Sequence, residues 1–150
     1  MRVSVIGGSR VDEETYERAR EVGRLLAARG YTVVCGGYGG VMEAVCRGAT
    51  AADGHTFGIL KGTDLREGND YLETPIATGL GDARNVLVVL NGDAVVAVDG
   101  GTGTLSELGH ALDAGKPVAG LDTHDLGEFE GFEACETVAA AVESVERRVG

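Results

Sequence analysis

Short apolar runs closed by glycine recur along this chain: VSVIGG, YTVVCGG, HTFGILKG and DAVVAVDGG. Runs of roughly four to eight residues suit strands better than helices. They are nearly continuous in apolar character rather than alternating, so each strand is predicted to be covered on both faces, as in a parallel sheet.

Helical spacing fills the gaps between the runs. Asp12 precedes a stretch that sets Tyr16, Ala19, Val22 and Leu26 on one face and ends at Gly30. Val41 to Ala51 reads as a second helix and Thr104 to Ala114 as another. TPIAT is a short strand after a polar loop from Gly62 to Asn69, and KPVAGL is the last clear strand. Residues 82–91 suit a helix, although their Val and Leu content also suits a strand. An acid-rich loop from Asp122 to Glu133 leads to a closing helix with Val138, Val142, Val145 and Val149 at helical spacing. No linker or internal repeat divides the chain. The expected fold is α/β: a single Rossmann-like doubly wound domain over residues 1–150, with a mainly parallel sheet and helices on both faces.

In such a sheet ligands bind beyond the C-terminal strand ends, and three glycine turns belong there. They are Gly7-Gly8-Ser9-Arg10, Gly36-Gly37-Tyr38-Gly39-Gly40 leading to Met42, and Gly100-Gly101-Thr102-Gly103-Thr104. Glycine lets the backbone approach a ligand, and a helix start offers free N–H groups to an anion. Together the turns predict a site for a phosphorylated small molecule. The P-loop spacing is absent, because Gly115-Lys116 is followed by Pro117. The dinucleotide pattern is absent too: Met42 and Ser106 stand where its last glycine belongs, and Cys35, not an acid, ends the second strand. A mononucleotide or another monophosphate fits better than NAD.

Charge narrows the partners. The net charge is -11, with only Lys61 and Lys116 as lysines, which argues against a nucleic-acid surface. Acid excess with scarce lysine points instead to a salt-rich cytosol, where self-repulsion is screened. The expected compartment is the cytoplasm: no signal-like apolar segment follows Met1, and VLVVL and AVVAV are far too short to span a membrane. Cys35, Cys46 and Cys135 lack the spacing of a disulfide framework or zinc site. His110 and Asp113 lack a third clustered ligand, so no metal site and no required cofactor are expected.

The segments GGYGGVMEAVCRGA, TGLGDARN and GGTGTLSELGHALDAGKPV resemble those of the LONELY GUY-type superfamily. That group holds phosphoribohydrolases, often mislabelled lysine decarboxylases, and molybdenum-cofactor carrier proteins. The likeness covers nearly the whole chain and looks closest to the short carrier-like branch. It implies a Rossmann-like fold, a phosphate site at the glycine turns, a mononucleotide or molybdenum cofactor as bound ligand, and a homodimer or homotetramer. If the chain is an enzyme, the resemblance assigns the cleavage of a nucleoside 5'-monophosphate N-glycosidic bond to Arg84 and Glu107. A carboxylate there steadies an oxocarbenium-like ribose, and a guanidinium holds phosphate or departing base. Departures from the family pattern are Asp99 for the proline before the glycine pair, Asn85 for the basic residue after the arginine, and Asp82-Ala83 for His-Glu. They count against hydrolysis and leave phosphate binding untouched.

The candidate ligand residues are therefore the three turns with Met42, Arg84, Asn85 and Glu107. Glu107 keeps a second reading, since Thr104-x-x-Glu107 matches a capping box. Arg84 also suits a solvated helix face, and Arg10 a surface loop. A binding protein is the favoured class, and a nucleoside-monophosphate phosphoribohydrolase is the alternative.

Overall fold

A computed structural model describes residues 1–149. In chain order the strands are β1 (Arg2–Gly7), β2 (Thr32–Cys35), β3 (Thr56–Leu60), β4 (Thr74–Ala77), β5 (Ala94–Val98), β6 (Val118–Leu121) and β7 (Phe132–Cys135). The helices are α1 (Glu13–Ala28), α2 (Val41–Ala51), α3 (Asn85–Leu90), α4 (Thr102–Asp113) and α5 (Val138–Val149). Every strand pair is parallel, in the order β4-β3-β2-β1-β5-β6-β7. The chain winds outward from β1 to β4, then returns to lay β5 on the other flank of β1, where Val5 pairs with Val96 and Gly7 with Val98. Connections leave β1 and β5 in opposite directions, so a crevice opens at their C-terminal ends.

Strand side chains divide between two cores, as the twofold strand period requires. Val3, Val5, Val33, Cys35, Val96 and Leu121 pack under α1, α2 and α5. Ile6, Val34, Val95, Ala97 and Val118 pack under α3 and α4. Helix α1 begins where the sequence predicts: Asp12 accepts a hydrogen bond from the Thr15 amide at 2.8 Å, which also lowers its own pKa. Gly30, at φ 79, lets the chain turn out of that helix.

Two expectations are corrected, and the helical reading of residues 82–91 is refined. Helix α4 starts at Thr102 rather than Thr104, with Gly101 at its N-cap and no side chain capping it. Gly100, at φ 111, folds back over Thr104 and sets that frame two residues early. Thr104 is therefore inside the first turn and Glu107 in the second, so the capping box does not form. Residues 82–91 divide into a 3-10 turn, Gly81–Arg84, and helix α3. The acid-rich loop ends in β7, an edge strand. Its Glu133 carboxylate faces α5, accepting from Ser144 Oγ at 2.8 Å and Arg147 Nη2 at 2.9 Å.

Candidate functional site

A cleft of about 300 Å³ opens at the β1–β5 crevice. Its floor is the end of β1, Val5 to Ser9. One side is the first turn of α4, Gly101 to Thr104, with Glu107 behind it. Gly36, Met42, Lys61, Arg84 and Asn85 complete the lining. Strand order explains the convergence, since β1, β2, β3 and β5 all deliver their C-terminal ends to this edge.

On the α4 side, the first helical hydrogen bond runs from the Leu105 amide to the Gly101 carbonyl, at 3.0 Å. The amides of Thr102, Gly103 and Thr104 consequently have no acceptor within the helix, and they sit where the helix dipole is positive. A Cβ at Gly101 or Gly103 would meet nothing within 4 Å. Protein packing gives no reason for glycine at either place; a ligand lying against the backbone would. Gly36 differs, because a Cβ there would come within 2.7 Å of Arg84 Nη2.

The second helix start is partly engaged. The Val41 amide that opens α2 donates to the Gly8 carbonyl at 2.9 Å. Gly40, at φ 61, packs against Gly8 and Ser9, and Gly37, at φ 84, against Leu60. Gly37, Gly39, Gly40 and Gly100 thus lie outside the cleft lining, and Arg10 is exposed beyond it. The remaining predicted residues, Gly7, Gly8, Ser9, Gly36, Met42, Arg84, Asn85, Gly101, Thr102, Gly103, Thr104 and Glu107, are brought together. Sequence reasoning missed three lining residues, Val5, Ile6 and Lys61, of which Lys61 is the charged one. A usable signal existed, for it is one of two lysines and follows directly on a predicted strand.

Arg84 is 4% exposed. It sits 5.6 Å from the Tyr38 ring centroid, and its Nη1 donates to Asn85 Oδ1. Its Nε is a buried donor without a partner. Burial pulls the guanidinium pKa down, opposed chiefly by Glu107. Glu107 is 7% exposed, and burial pushes its carboxyl up to about 7 against the pull of Arg84 and Lys61. No ion pair within 4.0 Å joins Arg84 and Glu107. A carboxyl held near neutrality can exchange a proton with a ligand at physiological pH.

The profile of the SLOG cluster4 family matches residues 1–149. The chain belongs to the SLOG cluster4 family. A curated relative of this SLOG cluster4 protein, an uncharacterized protein of Archaeoglobus fulgidus, is 44% identical over 143 residues, 95% of this chain and 92% of the relative. A cytokinin riboside 5'-monophosphate phosphoribohydrolase of Mycobacterium tuberculosis is 35% identical over 130 residues, 81% and 68% of the two chains. Among solved structures, the molybdenum cofactor binding protein of Rippkaea orientalis superposes with a TM-score of 0.92 at 32% identity, covering 99% of this chain and 97% of that one. The fold and the family named from the glycine-rich segments are thus both shown. Among the described residues of the SLOG cluster4 protein, no group of three or more His, Cys, Asp or Glu gathers as a metal site, and no helix is long and apolar enough to cross a membrane.

Proposed function

We propose that this SLOG cluster4 protein binds a phosphorylated small molecule, a mononucleotide or molybdopterin-type cofactor, with the phosphate on the first turn of α4. One observation carries the reading: Thr102, Gly103 and Thr104, whose amides have no acceptor within the helix, line the cleft, and nothing in the protein crowds Gly101 or Gly103. The buried guanidinium of Arg84 supplies positive charge nearby, and Asn85 Oδ1 holds its Nη1 in place. A cleft of about 300 Å³ lies at the lower end for small-molecule sites. Similarity to the Rippkaea orientalis molybdenum cofactor binding protein supports the cofactor as ligand. The residues present fit its phosphate; the redox chemistry of the metal would belong to the cofactor. Thr102, Gly103, Thr104 and Arg84 would hold it.

The alternative, hydrolysis of a nucleoside 5'-monophosphate, is favoured by Glu107, whose carboxyl stands near neutrality beside Arg84. The Mycobacterium tuberculosis relative supports it as well. Against it stands Asn85, an uncharged residue beside the arginine. The acidic surface fits no nucleic-acid partner, and the reading places the protein in the cytoplasm as a homodimer or homotetramer. Exposed Leu80, Leu90 and Leu105 offer apolar contact area for that assembly.

The test compares AMP with adenosine in thermal unfolding, then looks for free adenine. Binding selective for phosphate raises the melting temperature with AMP alone. Equal shifts for both compounds, or none, would reject the phosphate site. Released adenine would select hydrolysis over binding.

A further inference from the structure

Among the described residues two cations line the cleft, and they are built differently. Arg84 is buried and pinned by Asn85 and Tyr38. Lys61 follows β3 and is 44% exposed at its side chain. Its backbone is tightly held: its amide donates to Tyr38 Oη at 2.7 Å, and its carbonyl accepts from the Gly81 amide at 2.9 Å. Tyr38 Oη in turn donates to Glu67 Oε2 at 3.1 Å. The Lys61 stem is free to swing from this fixed base. Its ammonium rests on Asp82, Nζ to Oδ1 2.8 Å, and that carboxylate is 84% exposed.

We infer that Lys61 is the second anion-holding cation of the cleft and a determinant of ligand charge, with Asp82 as its resting partner. This inference rests on the phosphate reading above. In strand order β3 lies beyond β2 on one side of β1 and β5 lies on the other, so Lys61 reaches the cleft from across the α4 amides. A phosphate on those amides keeps oxygens facing the β3 side, and an ammonium on four rotatable bonds suits a point contact there. Release from Asp82 is easy, because an ion pair this exposed holds weakly. Two cations favour a phosphate monoester, a dianion at neutral pH, over a singly charged phosphodiester. Glu107 lies within electrostatic reach of both cations, and Asp82 of Lys61 and Arg84, so these are the charges that set the balance.

Asp82 separates this role from a merely structural one. If the pair is a strut, breaking it from either end has the same consequence. If Asp82 competes with the ligand for Lys61, the two ends act with opposite sign. Calorimetric titration with AMP, and with inorganic phosphate as a minimal probe, is applied to wild type, Lys61→Met, Lys61→Arg and Asp82→Asn. Both side chains are exposed enough that the fold tolerates these changes, and circular dichroism checks it. Lys61→Met is expected to weaken AMP binding roughly tenfold to a hundredfold, as loss of a charged hydrogen bond does. Lys61→Arg should restore most of it. Asp82→Asn should tighten binding by up to about fivefold. Cyclic AMP, a phosphodiester, should bind more weakly than AMP to wild type and lose less on Lys61→Met. Unchanged AMP affinity in Lys61→Met overturns the inference, as does weakening by both Lys61→Met and Asp82→Asn. If wild type binds neither AMP nor phosphate, the phosphate reading itself fails and Lys61 loses its role with it.

Discussion

Replacing Glu107 by Gln keeps the shape of the side chain and removes its charge. The carboxyl is buried and titrates at about 7, against 4.5 when unperturbed. Each pH unit between those values is worth about 1.4 kcal/mol, so the ionised form costs the fold roughly 3 kcal/mol above neutrality. The sign follows from proton counting. Between pH 4.5 and about 7 the folded state holds a proton that the unfolded state has already lost, so stability falls as pH rises through that window. Below it both states are protonated, and above it both are ionised, so the slope vanishes at each end. Glu107→Gln lacks this dependence. The variant should match wild type near pH 4.5 and exceed it by about 3 kcal/mol at pH 8. Urea unfolding at the two pH values measures the difference. A gap that stays constant with pH, or a variant less stable than wild type at pH 8, would refute the burial argument. The same protein probes chemistry, since a Glu107 that stabilises an oxocarbenium-like ribose cannot be replaced by an amide. AMP should still bind, and any adenine release by wild type should drop at least about a hundredfold. The binding reading expects no release from either protein.

Gly103→Val places a branched side chain where the cleft is open, so it should abolish the AMP-induced rise in melting temperature while the protein still folds. Retained binding would move the ligand away from α4. Arg148 donates to the carbonyls of Gly131 at 2.6 Å and Val118 at 2.9 Å and so ties α5 to the β6–β7 edge. Arg148→Ala should cost roughly 2–3 kcal/mol in denaturant unfolding, and a loss below about 0.5 kcal/mol would show that the tie is idle. With a net charge of -11, stability should climb between low and molar sodium chloride as the screening length contracts to about 3 Å at 1 M. An unfolding midpoint that does not move over that range would remove the salt-loving reading.

Local signals suffice where one interaction between near neighbours decides the outcome. Asp12 caps α1 because its acceptor and the Thr15 amide are three residues apart, and α2 runs over Val41–Ala51, the bounds its pattern predicts. The same logic failed at Thr104 and Glu107. Their spacing is right for a capping box, but the Gly100-Gly101 turn starts the helix earlier and carries Glu107 into its buried face. The acid-rich stretch to Glu133 overlaps the first half of β7, and FEAC has little strand character of its own. It is a strand because β6 offers an open edge and α5 supplies partners for Glu133.

By itself, then, the chain determined most of its element types, the parallel sheet and the glycine-rich edge, all consequences of periodicity and backbone freedom within a few residues. Tertiary structure decided which glycines face the cleft and which brace it, since that depends on what approaches from elsewhere in the chain. It brought Lys61 and Arg84, 23 positions apart in the numbering, to one cleft by ordering the strands. It also turned Glu107 from an ordinary acid into one titrating near neutrality. Desolvation did that, and desolvation is imposed by distant segments closing over a group, which no local pattern encodes.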